Sequence, residues 1–100
     1  MQLPANIRME KGDGEHTVAF SWDTQIVKPS DGSRSDDRVN IFYLSEDRRE
    51  TGQYHGSAKR ADGSATLNLP NGWKPEETLF WIFLSSYDQQ HNSDSHFVKL

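Results

Sequence analysis

A chain of 100 residues with 33 % hydrophobic content and a formal charge of −4 has the length of one domain and must build an economical core. Its lysines and arginines never form the basic stripe that nucleic-acid binding needs, and no segment reaches the roughly 18 apolar residues of a membrane span, so neither nucleic acid nor membrane insertion is expected. The absence of cysteine excludes disulfides and thiolate metal sites.

Residues 1–9 (MQLPANIRM) contain Pro4 and read as an irregular edge strand, where a sheet tolerates proline. Residues 11–15 are a turn built on Gly12 and Gly14. Residues 17–22 (TVAFSW) alternate, with Val18, Phe20 and Trp22 on one face. Gln25, Ile26 and Val27 are a candidate strand extension, and residues 28–38, with Pro29, Gly32 and three aspartates, form a loop. Residues 39–44 (VNIFYL) give the third strand, with Val39, Ile41 and Tyr43 facing one way, and the charged residues 45–51 a solvated turn. Residues 53–60 are a weaker edge strand carrying Tyr54, Gly56 and Ala58 on one side. Asp62-Gly63 is the strongest turn signal in the chain. Residues 64–69 follow with Ala65, Leu67 and Leu69 inward; Trp73-Lys74-Pro75 is a crossover, and Glu76 and Glu77 are candidates for one helical turn.

Residues 79–84 (LFWIFL) are six apolar residues in succession, too short for a buried helix and bounded by turn signals, so they predict a central strand covered on both faces. After the polar residues 87–94, residues 95–100 form the last strand, with Phe97 and Leu100 inside. Seven short strands without a convincing helix predict an all-β fold over residues 1–100, a seven-stranded antiparallel two-sheet sandwich.

These residues resemble a fibronectin type III/immunoglobulin-like domain. The resemblance rests on Leu3-Pro4 at the entry, the strand ending in Trp22, the Ile41/Tyr43 alternation, the Leu67/Leu69 strand, the Lys74-Pro75 crossover and the long apolar sixth strand. It implies that Trp22 sits between the sheets. The tyrosine that usually opens the sixth strand is absent, and Leu79, Phe80 and Trp81 occupy its region. Residues 17–100 also resemble, more narrowly, the C-terminal sandwich domain of an uncharacterised bacterial protein family. That match lies in residues 35–39 (SDDRV), residues 63–70 (GSATLNLP) followed by Trp73, and residues 93–95 (SDS). The family has no assigned activity, and its complete members are longer, which implies that such a domain is one part of a working protein.

No nucleophile elbow, H-E-x-x-H pair or Gly-rich phosphate loop is present, so the chain reads as non-enzymatic and without a cofactor. Asp31, Asp36 and Asp37 offer the clustered oxygens that Ca²⁺ takes. Arg34 and Arg38 offset their charge, and turn capping is the stronger reading. His91, Asp94 and His96 are a second polar cluster, read as solvent-exposed, with His16 and His55 unplaced relative to it. Trp73, Tyr87 and the outward one of Phe80 and Trp81 are candidates for a stacking platform, although Trp73 is favoured as a lid over the open end of the sandwich. An antiparallel sandwich normally wets one face of each sheet. An apolar strip at Phe80, Ile82 and Leu84 would therefore need cover, from the loop over residues 28–38 or from a partner. The expectation is a structural or protein-interaction module of a larger bacterial or phage-like assembly, with a protein partner or self-association. The alternative is a carbohydrate-binding module using Trp73 and Tyr87. Cytoplasm, virion and bacterial surface fit the composition equally well.

Overall fold

Strict alternation along a pleated strand sends successive side chains to opposite faces, and in this chain it separates a core face from a solvent face strand by strand. A computed structural model describes residues 1–26, 30, 32–88 and 90–100. Among these, the strands are β1 (Arg8–Lys11), β2 (Thr17–Ser21), β3 (Arg38–Ser45), β4 (Thr51–Lys59), β5 (Ser64–Asn68), β6 (Thr78–Ser85) and β7 (His96–Val98). They form two antiparallel sheets, one of order β1-β2-β5 and one of order β4-β3-β6-β7. This is the predicted sandwich.

The inward faces are the alternating sets read from the sequence. Val18, Phe20 and Trp22, Val39, Ile41 and Tyr43, and Ala65, Leu67 and Leu69 are all buried. Phe80, Ile82 and Leu84 of β6 meet them from the four-stranded sheet. An aromatic chain crosses the core from Trp73 to Tyr43 (5.7 Å, edge-on), on to Phe80 (6.4 Å) and across to Phe20 of the other sheet (5.5 Å, edge-on). Edge-to-face pairs of this kind add about 0.5–1.5 kcal/mol each beyond their burial.

Tyr43 has room to lie in the core because its cross-strand partner is Gly52. A Cβ added there would overlap the tyrosine ring. Gly52→Ala is therefore expected to destabilise the fold by about 1–3 kcal/mol, the usual cost of forcing extra atoms into a packed core. Urea unfolding monitored by circular dichroism would show it as an earlier midpoint, and an unchanged midpoint would mean that Tyr43 has space to move.

Several boundaries differ from expectation for identifiable reasons. β1 starts only at Arg8, because Asn6 takes a left-handed conformation (φ 56) that interrupts an extended chain. Residues 1–7 instead run over the sandwich, with Pro4 buried and Leu3 and Ile7 packed on the core. Gln25 and Ile26 join no strand, and Val27 lies outside the described residues. In β7 the register is shifted by one from the expected one. Val98 pairs with Phe80, while Phe97 pairs with Trp81 on the outer face and is 50 % exposed; Leu100 is exposed as well.

Of the three crossings between sheets, those from β4 to β5 and from β5 to β6 contain short 3-10 turns. Arg60–Asp62 leads from β4 to β5, ending at Gly63 in the left-handed region (φ 73) that glycine occupies without strain. Pro75–Glu77 is the anticipated helical turn before β6, with proline at its first position. The corner into β6 is fastened without a tyrosine: the buried Thr78 hydroxyl donates to the Lys74 carbonyl at 2.8 Å.

Beneath the loop that precedes β3 lies a buried ion pair. Arg60 Nε donates to Asp37 Oδ2 (3.1 Å), both side chains being withdrawn from solvent. Arg60 Nη2 donates to the Gln2 carbonyl (2.6 Å), and the same Asp37 oxygen accepts from the Arg34 backbone N–H (2.8 Å). One guanidinium thus joins the N-terminal segment, the loop before β3 and the β4–β5 crossing.

Candidate interaction surface

The residues proposed from the sequence as a surface divide sharply. Phe80, Ile82 and Leu84 are fully buried against the three-stranded sheet, so they are core and not a docking strip. The registers explain this: Ile82 pairs with Ile41, and Phe80 with Tyr43, inside the sandwich. Trp73 is buried too, at 2 % exposure, with its ring edge-on to Tyr43 and its carbonyl 3.0 Å from His16 Nδ1. It is a lid and offers no stacking platform. Tyr87 alone of the set is open, at 66 % exposure.

The alternate residues of β6, Leu79, Trp81 and Phe83, point outward and are only half-buried. The registers place Phe42 of β3 and Phe97 of β7 directly opposite Trp81. The result is a three-rung aromatic ladder across the strands, with centroid separations of 5.7 Å and 5.4 Å. Cross-strand aromatic pairs stabilise a sheet face by roughly 0.2–1 kcal/mol each, so the ladder has a structural role as well. Leu44 and Leu79, paired across β3 and β6, continue the apolar strip. Lys99 and Glu46 form an ion pair at 2.7 Å, tying the segments just after β7 and β3.

Towards the other end of β3 the same face changes character. Arg38, Asn40, Phe83 and Ser85 turn outward there, joined by His55 of β4 and by Tyr87 and Asn92 beyond β6, around a groove of about 810 Å³. Its floor is ordered by side-chain hydrogen bonds. Asn40 Nδ2 donates to Ser85 Oγ (2.9 Å) and to the Arg38 carbonyl (3.3 Å), which leaves Asn40 Oδ1 to accept from His55 Nδ1 (3.3 Å). His55 Nε2 lies 2.7 Å from Gln53 Oε1. On the wall, the Arg38 guanidinium stacks over the Tyr87 ring, 5.2 Å from its centroid. The neighbouring turn is fixed by Asp88, whose carboxyl is held below its usual range by the Ser86 hydroxyl and the Gln90 backbone N–H. A smaller cavity of about 440 Å³ lies beside the Trp73 lid and the Lys11–Glu76 ion pair. There a backbone hydrogen bond, ahead of Lys11, holds Glu76 below the ordinary carboxylate range.

The metal candidates do not come together. Asp37 is turned into the protein toward Arg60, whereas Asp36 is exposed; Asp31 lies outside the described residues. His91, Asp94 and His96 are all exposed, and among the described residues no three His, Asp or Glu side chains are grouped to hold a metal ion. No helix among the described residues is long and apolar enough to cross a membrane.

No protein-family model matches the chain, and no curated protein matches it. Among solved structures, it is similar to the solution structure of the third fibronectin III domain of the human KIAA0343 protein. That similarity has a TM-score of 0.53 at 16 % sequence identity and covers 96 % of this chain and 78 % of that one. At such identity the likeness is one of architecture: the chain has a fibronectin type III-like fold.

Proposed function

We propose that this chain is a non-enzymatic structural or protein-interaction module of a larger assembly, and that its contact surface is the outer face of the four-stranded sheet. One observation carries the reading: the Phe42–Trp81–Phe97 ladder, whose outer rung is half exposed on a face that a sandwich usually gives to water. Aromatic residues enriched at the centre of a patch with polar surroundings are the composition of contact surfaces. The bacterial or phage-like setting of that assembly rests on the resemblance of residues 35–39, 63–70 and 93–95 to the uncharacterised bacterial family.

Light scattering over a hundredfold concentration range tests the simplest occupant, a second copy of the chain. The mass of the wild type is expected to rise above the 11.5 kDa of one chain, and Trp81→Gln to remove the rise while still unfolding cooperatively. A wild type that stays at one chain's mass throughout would overturn self-association through the ladder.

The carbohydrate reading loses Trp73 to the core. What supports it now is Tyr87 and the groove beside it.

A further inference from the structure

We propose that the edge of β4 over residues 51–55 docks an extended segment of another protein, which adds as a fifth strand to the four-stranded sheet. The segment is uncharged and carries apolar side chains on the face it turns toward the core. The contact is made by backbone at the rim of the sheet, so it does not depend on the ladder.

The phase of the hydrogen bonds fixes which groups are open. Along an antiparallel pair, residues that exchange both backbone bonds alternate with residues that turn away. Ser45 N–H donates to the Glu50 carbonyl at 2.9 Å, and in the same phase Tyr43 pairs with Gly52 and Ile41 with Tyr54. The other side of the sheet agrees. Leu84 accepts from Ser93 N–H and Ser86 donates to the His91 carbonyl, both at 2.8 Å, so the even residues of β6 turn away from β3. That leaves the odd residues of β3 to bond with β4. Gly52 and Tyr54 therefore bond to β3, while Thr51, Gln53 and His55 aim their N–H and C=O groups outward. Among the described residues β4 has no strand on that side.

Of the four sheet edges, this one lacks the usual protection by shortness, charge, proline or a bulge. β7 has three residues, and β1 carries Arg8, Glu10 and Lys11. β5 is uncharged, but its core-facing Ala65 and Leu67 are already buried, so a strand beside it would cover no further apolar surface of theirs. β4 is nine residues long. Its Lys59 and its register irregularity lie beyond His55, and residues 51–55 contain no proline, lysine, arginine or carboxylate.

Side chains decide what the edge accepts. Gln53 Oε1 lies 2.7 Å from His55 Nε2, and His55 Nδ1 bonds to Asn40, which holds both side chains over the outer face. On the inner face the Tyr43 ring occupies the space beside Gly52, and Tyr54 is half-buried. In an antiparallel addition the residues opposite Gly52 and Tyr54 form the closely spaced pairs, with side chains near enough to cover these rings. Main-chain bonds supply affinity in this mode of recognition, and alternate side chains supply specificity.

The test is a ¹H–¹⁵N NMR titration of the whole chain with the peptide acetyl-Ser-Thr-Val-Thr-Phe-Thr-Ser-amide, with amide hydrogen exchange measured before and after. In the free chain the amides of residues 51, 53 and 55 are expected to exchange quickly and those of 52 and 54 slowly. The peptide is expected to bind in the millimolar range. At ten times its dissociation constant it should slow exchange at 51, 53 and 55 by about tenfold. N-methylation of its three threonines removes the N–H groups that face β4 and should weaken binding at least about tenfold. N-methylation of the valine and phenylalanine, whose N–H groups face away, should leave binding within about twofold. Gln53→Pro deletes one outward N–H at an edge position that admits proline, and should weaken binding at least about threefold while circular dichroism shows the fold retained. Absence of binding, equal effects of the two methylation patterns, or indifference to Gln53→Pro would overturn the proposal. So would shifts centred on residues 42, 81 and 97, which would place the peptide on the ladder. Protection of 51, 53 and 55 in the free chain that grows with its concentration would assign the edge to a second copy and overturn it as well.

Discussion

Arg60→Ala is expected to cost about 3–5 kcal/mol, the usual loss when one partner of a buried ion pair is removed and the other is left behind. A domain of this size has roughly 5–15 kcal/mol in total, so the variant should be largely unfolded at moderate urea where the wild type is intact. Three connections break together. Asp37 loses its counter-charge in a site without solvent, the Gln2 carbonyl loses its donor, and the β4–β5 crossing loses its anchor. Arg60 Nη1 and Asp37 Oδ1 have no hydrogen-bond partner among the described residues, so the pair is not fully satisfied even as it stands. That leads to a sharper expectation. The double substitution Arg60→Met with Asp37→Leu should recover much of what Arg60→Ala loses, since apolar replacements of a buried pair are often neutral or stabilising by 1–4 kcal/mol. Urea midpoints of the wild type, Arg60→Ala and the double variant decide the matter. If Arg60→Ala unfolds like the wild type, the pair is a passive feature; if the double variant is as weak as the single one, the specific geometry matters more than the charge.

The sandwich was legible in the sequence wherever alternation was strict. Val18/Phe20/Trp22 and Ala65/Leu67/Leu69 alternate with small or polar neighbours, Val39/Ile41/Tyr43 less cleanly because Phe42 and Leu44 follow Ile41 and Tyr43, and each set is core. β6 defeats the same test because both of its faces are apolar. Nothing along that strand distinguishes Phe80, Ile82 and Leu84 from Leu79, Trp81 and Phe83; the distinction comes from its register with β3, in which Ile41 pairs with Ile82 and Phe42 with Trp81, and therefore from long-range contacts that local pattern does not encode. The ladder was hidden for this reason. Its signal was nonetheless present in part: Phe42 and Leu44 make the second half of the outward side of β3 apolar after Arg38 and Asn40, and Phe97 stands outward in β7. Arg60 was similarly half-visible. It continues the inward series Tyr54, Gly56, Ala58, so alternation assigns a charge to the core, and the partner that such a charge requires is Asp37. The groove was not legible, because it assembles short polar residues from β3, β4, β6 and the chain beyond β6 that share no spacing.

Trp22→Ala should be comparably severe, at about 3–5 kcal/mol for truncating a buried aromatic. The ring is 3 % exposed, and its loss removes more than area. Trp22 Nε1 donates to the Arg60 carbonyl at 2.8 Å in a buried site, so truncation also leaves that carbonyl with only the longer bond from the Gly63 N–H, at 3.4 Å. Trp22→Phe separates the two contributions: it keeps most of the apolar body and drops the hydrogen bond, for an expected cost of about 1–3 kcal/mol. Because the accepting carbonyl belongs to Arg60 itself, the tryptophan and the ion pair are one mechanical unit. Their effects should not add. Residues that share a network show interaction energies of about 0.5–3 kcal/mol in double-mutant cycles, and a cycle on Trp22→Phe and Arg60→Met is expected to fall in that range. Strict additivity would mean that the indole hydrogen bond and the Arg60–Asp37 pair hold the β4–β5 crossing independently, and that the inter-sheet tryptophan acts through packing alone.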